Sequence, residues 1–135
     1  MKTKSSRKAL VNRADKLFSL YVRLRDSENG YGHCITCGKR LHYKDAHAGH
    51  FQKRKYLETR WDEENVNLQC SACNTFNDGE QYKYGQAIEL KYGDDTADKL
   101  HVAARGGIGQ KFPSSRIEEV IADTQVLIDF IKEKA

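Results

Sequence analysis

The sequence predicts a single α+β, mainly helical domain. Three observations predict it: a long amphipathic stripe near each end of the chain and, between them, two Cys-x-x-Cys turns in a loop-rich centre. With 135 residues there is length for one modest core and hardly for two, so residues 1–135 are read as one unit. Charged residues reach 31% while hydrophobic ones still make up 39%, a balance that excludes a disordered chain.

The first element is a helix over residues 6–26, where Leu10, Ala14, Leu17, Tyr21 and Leu24 recur at steps of four and three. Val11, Phe18 and Val22 widen that stripe. Arg13, Lys16, Arg23 and Arg25 occupy the opposite face, open to phosphate or to water. The stretch Asp-Ser-Glu-Asn-Gly-Tyr-Gly from position 26 is turn chemistry that ends the helix.

The central unit spans 33–92. Its first part, 33–73, is expected to hold little regular structure, with short strands near 41–43 and 48–51. A helix then starts at Asn74 and runs to about Tyr92, with Gly79 or Gly85 as the place of a break.

A C-terminal helical extension covers 94–135. Asp95 is read as the N-cap of a short helix to residue 104, and the glycine cluster 106–109 as a connector, since it lacks the lysine and hydroxyl of a phosphate-binding loop. Ser115-x-x-Glu118 has the pattern of a capping box. Ile117, Val120, Ile121, Thr124, Leu127, Ile128 and Ile131 then form the apolar face of a final helix. Both end stripes must be covered. Packing on each other is favoured; a homodimer through the terminal helices is the alternative.

All four cysteines fall in the pairs Cys34-x-x-Cys37 and Cys70-x-x-Cys73. With no secretory signal in the sequence, disulfides are not expected, and two such turns can aim four thiolates at one structural Zn2+. Metal binding would then be part of folding for a centre that buries little apolar surface. No run is long and apolar enough to span a membrane, so the expected location is the cytoplasm. Net charge is +4, with Lys and Arg concentrated in residues 2–25 and 52–55, which suits a polyanionic partner such as DNA.

Inside the cysteine frame, His50 closes a candidate strand, Asn65 lies five residues before the third cysteine, and Asn74 directly follows the fourth. This arrangement resembles the HNH nuclease pattern. It is more closely similar to the phage NinG/Rap recombination proteins in Ala48-Gly-His-Phe51, Arg60-Trp-Asp62, Asn65 and Gln69-Cys-x-x-Cys-Asn74, over residues 34–85. The resemblance implies a zinc-stapled ββα-metal (HNH) core between the long helices. It also implies a metal-dependent endonuclease acting on branched recombination intermediates, Holliday junctions or D-loops, in the host cytoplasm. Two other readings stay open: a non-catalytic zinc-dependent DNA-binding module, and an HNH nicking enzyme acting on duplex.

Phosphodiester hydrolysis needs a base, a cation for the leaving oxygen and donors that position phosphate. His50 is the candidate base, and Asn74 a hard oxygen ligand for Mg2+ or Mn2+, with a helix N-cap as its competing role. Where the commonest HNH pattern has a metal-binding Asp or His, this chain has Gly49. Further ligands would therefore come from His47, Asp45 or Asp78. Asn65 is expected to hold the loop that carries His50. Lys53, Arg54, Lys55 and Arg60 are the candidate DNA contacts. Trp61 and Tyr56 are read either as core caps or as platforms for a splayed base. Asp62 is assigned to a turn or to Arg60, not to catalysis.

Overall fold

The computed structural model describes residues 6–134; Lys2 and Lys4 of the basic N-terminal cluster lie outside the described residues. Helix α1 (Arg7–Arg25) opens on Ser6, whose hydroxyl accepts from the Ala9 amide at 3.1 Å. Its buried residues are Ala14 and Tyr21 of the stripe and Phe18 and Val22 beside it, while Leu17 and Leu24 pack at the margin. The final helix, α5 (Ser114–Lys134), lies along α1. Ile128 joins Phe18, Tyr21, Val22 and Val66 in one cluster, while Ile117 joins Ala14 and Phe112 in a second. Each such side chain is worth about 1.5–3 kcal/mol when removed from water. The two end stripes therefore meet within the chain, although Leu127, like Val126 and Phe130, remains exposed.

The stretch after α1 is more than a turn. It forms a hairpin of β1 (Ser27–Glu28) and β2 (Tyr31–His33), to which β3 (Arg40–His42) adds antiparallel. Asn29 and Gly30 both take positive φ, 53° and 86°, the backbone that a two-residue hairpin turn demands. Strand structure thus begins at residue 27, ahead of the first cysteine turn.

A second hairpin pairs β4 (His47–His50) with β5 (Val66–Gln69), Gly49 opposite Asn67 and His50 opposite Val66. The loop between them carries one short helix, α2 (Leu57–Arg60). Both strands pack on α1. All four residues of β5 are buried, which explains why it lacks the polar-apolar alternation by which a half-exposed strand is recognised.

The helix expected from Asn74 starts seven residues later. Residues 72–76 form one wide turn and 78–80 a tight one, because Asp78, Gly79 and Glu80 all sit at positive φ. Helix α3 (Gln81–Tyr92) follows, so the chain breaks at Gly79, while Gly85 stays inside the helix. Helix α4 (Thr96–Gly106) starts after Asp95, but the Asp95 side chain makes no cap; instead the Thr96 hydroxyl donates to the Gly93 carbonyl at 2.8 Å. The capping-box reading also fails. Helix α5 already begins at Ser114, which places Ser115 inside the first turn. Among the described residues no helix is long and apolar enough to cross a membrane.

Candidate functional site

The two cysteine turns are brought together by backbone hydrogen bonds. Gly38 donates to the Cys34 carbonyl at 2.8 Å and closes the first turn, and the Ile35 amide donates to the Leu68 carbonyl at 2.9 Å, joining that turn to β5. Cys70 and Cys73 lie immediately beyond the end of β5. The sulfurs of Cys34, Cys37, Cys70 and Cys73 all lie within 4.8 Å of one another, and those of Cys37 and Cys70 are 3.7 Å apart. A tetrahedral zinc with bonds of about 2.3 Å separates its sulfurs by about 3.8 Å, so the four cysteines could hold one zinc ion. Their titration has the same cause. Burial raises Cys34, but donors from Thr36 and the backbone outweigh it and bring the thiol down to about 6; burial and the other three sulfurs push Cys73 up to about 12. One thiolate is welcome there and further ones repel, a conflict that a bound dication relieves.

His50 ends β4 with its Nε2 2.8 Å from the backbone carbonyl of Arg60. A carbonyl can only accept, so Nε2 carries the proton and Nδ1 is the free, basic nitrogen. Burial, helped by the charges of Arg54 and Arg60, pushes the imidazole down to about 4 against that hydrogen bond, leaving it neutral at pH 7. Asn65 holds the loop on which this depends. Fully buried, it accepts from the Gln52 amide at 2.7 Å and donates to the carbonyls of Gln52 and Thr59 at 3.1 and 2.9 Å. It stitches both ends of the segment between His50 and Arg60.

Asn74 sits in the wide turn after the second cysteine pair, its amide donating to the Cys70 carbonyl at 3.0 Å. It does not occupy the start of α3, so the N-cap role is excluded by position. Its side-chain nitrogen is 3.0 Å from His47 Nδ1. This contact sets an either-or. If the Asn74 NH2 donates to Nδ1, its Oδ1 is free to bind a cation and His47 Nε2 carries a proton; if His47 ligates through Nε2, its Nδ1–H needs the Asn74 oxygen as acceptor.

Gly49 has a packing reason. A Cβ there would collide with Gln69 Oε1 and lie 3.2 Å from Asn74 Oδ1, so the Gln69 carboxamide occupies the space that a side chain at 49 would need. Gln69 donates to Thr36 Oγ1 and to the Gly79 carbonyl, tying the first cysteine turn to the chain break before α3.

His47, His50, Asn74, Asp78, Lys53 and Arg54 line one open cleft of about 620 Å³, with Arg23 on its α1 side. Asp78 is its sole carboxylate among the described residues; Asp45 does not line it. The four cysteines are the one group of three or more His, Cys, Asp or Glu near enough to share an ion among the described residues. The cleft's own cation site, if used, would rest on few protein ligands. Lys55 faces a neighbouring groove.

Arg60 is differently committed. It grips Asp15 with Nε at 3.0 Å and NH2 at 2.6 Å and donates to the Arg54 carbonyl, so its guanidinium anchors the loop to α1. Trp61 Nε1 donates to the same Asp15 carboxylate, and its ring packs 5.8 Å from that of Phe112, the core-cap reading. Asp62 accepts from the amides of Glu64 and Asn65 and serves the turn.

Two contributors were not singled out from the sequence, Asp15 and Tyr84, and Gln69 stood there only as part of the family motif. Tyr84, buried on α3, donates to the Gly49 carbonyl at 2.5 Å and accepts from Asn67 at 3.3 Å, fixing the hairpin that carries His50. An isolated acid within the basic α1 was a signal for Asp15; nothing in the local pattern marked Tyr84.

The model of the family described as Bacteriophage Lambda NinG protein matches residues 1–131. No curated protein and no solved structure matches the chain.

Proposed function

The chain belongs to the bacteriophage lambda NinG family, and from that premise we propose that it is a metal-dependent endonuclease of the HNH type that hydrolyses DNA, with branched recombination intermediates as its preferred substrate. One observation carries the chemistry: an imidazole held neutral, with Nε2–H tied to the Arg60 carbonyl, on the wall of a cleft that also holds Asn74, Asp78 and basic side chains. The β4–β5 hairpin, followed after two turns by α3, is the element order that supports this reading.

In the proposed reaction, His50 Nδ1 takes a proton from a water as that water's oxygen bonds to phosphorus. The bond from phosphorus to the 3′-oxygen breaks, its electron pair goes to that oxygen, which takes a proton from solvent, and His50 later releases its own to solvent. Lys53 and Arg54 hold the phosphates on either side, and Arg23 faces them from α1. The oxygens of Asn74 and Asp78 are hard donors that fit Mg2+ or Mn2+, with His47 the alternative to Asn74. Such a cation, when bound, supplies the positive charge that neutralises the leaving oxygen. Preference for branched DNA is proposed from the family and not from the cleft.

The test is side-by-side cleavage of a Holliday junction, a D-loop, a flap and linear duplex with Mg2+ or Mn2+, using wild type and His50→Ala. Expected is cutting that favours the branched substrates and is abolished in a folded His50→Ala protein. Equal rates on all four would remove structure preference and leave duplex nicking. A second reading, a zinc-dependent binding module without activity, is favoured by the thin ligand set of the cleft. Binding of branched DNA with no cleavage in any divalent metal would establish it.

A further inference from the structure

Beside the cleft lies a second groove, of about 430 Å³, between the loop after His50 and the helices α3 and α4. Lys53 and Gln81 line both spaces, so the two share a wall. No carboxylate lines the second groove among the described residues, whereas Lys53, Lys55 and Arg105 all do. Arg105 is held in place: its NH1 donates to Gln52 Oε1 at 2.9 Å and its guanidinium lies 4.8 Å from the centre of the Tyr56 ring. Gln52 in turn is the residue that Asn65 stitches into the His50 loop. The far wall carries Tyr82, which is 80% exposed.

We propose that this groove, bordered by Lys55, Arg105 and Tyr82, binds a single-stranded segment of nucleic acid and leads it toward the cleft, a proposal that rests on the nuclease reading of that cleft. The charges suit a phosphodiester backbone of any conformation. The aromatic selects the conformation. In a duplex each base face is covered by its neighbours, so an exposed ring beside a basic groove gains stacking energy only from an unstacked base. Tyr56 cannot serve in the same way, since Arg105 and Lys55 already lie over its ring. Because the groove and the cleft share Lys53, a strand leaving a branch point would pass from one to the other. This would give α4, otherwise only a packing element, a part in choosing substrates with an unpaired arm.

Binding separates this from the chemistry. Fluorescence anisotropy with labelled dT15 and with a 15-base-pair duplex, at several salt concentrations and without added divalent cation, compares wild type with Tyr82→Ala, Tyr82→Phe and Arg105→Gln. Thermal melts and zinc content check each fold, and Tyr82, being so exposed, can be changed with little risk to it. Expected is about a tenfold loss of dT15 affinity for Tyr82→Ala, as for one stacked base, with wild-type affinity restored in Tyr82→Phe. Arg105→Gln should lower the dT15 salt slope by about 0.7, as for one phosphate contact on a single strand. Duplex affinity should change less than twofold for both Tyr82 variants. Unchanged dT15 binding by Tyr82→Ala, an equal loss on dT15 and duplex, or equal competition by polyglutamate would each overturn the proposal. A wild type that cuts no DNA yet shows the Tyr82 dependence would remove the nuclease reading and leave the groove; cleavage without that dependence would do the reverse.

Discussion

His50 donates from Nε2 to the main-chain carbonyl of Arg60 at 2.8 Å, ten residues further along a loop that Asn65 pins from below. The bond decides which nitrogen is basic, and burial decides that the ring is neutral, its pKa lowered to about 4.

A pH dependence of both rate and stability follows. For the free protein, kcat/KM of cleavage should rise with pH on an acid limb centred near 4 and stay flat through neutrality, while a limb near 6.5 would mean that the ring is not buried in the working protein. The stability sign is opposite to that of a paired histidine. An unfolded chain protonates His50 near pH 6.5 and the folded one near 4, so the contribution is present above 6.5 and is lost as pH falls between the two values. The full loss is on the order of 3 kcal/mol. Urea melts of wild type and His50→Gln from pH 7.5 to 4 should diverge over that window; parallel curves would count against the buried neutral ring.

Arg54 and Arg60 are adjacent to the same cleft and should behave differently when neutralised. Arg54 is exposed on the cleft wall, so Arg54→Gln should leave the melt unchanged while lowering the salt slope of duplex binding by about 1. Arg60 holds Asp15 bidentately, with both side chains less than one-fifth exposed. Removing one partner there strands the other, and Arg60→Gln should destabilise by about 2 kcal/mol. Thermal melts and binding isotherms on the two variants check the contrast; equal melts for both would show that the Asp15 pair does not anchor the loop.

That contrast also shows what local pattern can and cannot tell. The end helices and the cysteine frame were readable because each rests on spacing along the chain, whereas His50, Asn65 and Asn74 were picked out only by their places in a resembled motif. The Arg60–Asp15 pair spans 45 residues, and the Tyr84 bond to the Gly49 carbonyl spans 35, so neither leaves a periodic trace. The β1–β2 hairpin was legible in principle through Asn29-Gly30, but its strands are two and three residues long and carry no alternation to support the turn signal. Burial of every residue of β5 hid that strand for the same kind of reason.

Zinc removal should undo the centre before the ends. The cysteine turns join β5 and the turn carrying Asn74, whereas α1 and α5 bury their stripes against each other. Chelation should therefore expose four reactive thiols and abolish the cooperative melt, while much of the helical circular dichroism remains. Retention of a sharp transition in metal-free protein would show that the four sulfurs are not a structural site.

Gly49 supplies the most local prediction. A side chain at that position meets the Gln69 carboxamide, which already holds Thr36 and the Gly79 carbonyl, so Gly49→Ala should cost about 1–3 kcal/mol through overpacking alone. Gln69→Ala should be destabilising by itself, because it opens a cavity and frees two partners. Together the changes should cost less than their sum, since the shortened residue 69 makes room for the new methyl, and a coupling of about 1 kcal/mol or more is expected in a double-mutant cycle. Additive losses would mean that something other than Gln69 demands glycine. A Gly49→Asp substitution separates the two causes further: if space is the whole obstacle, it should be tolerated only beside Gln69→Ala, where its carboxylate would lie close to Asn74 Oδ1 and add a second hard oxygen to that end of the cleft.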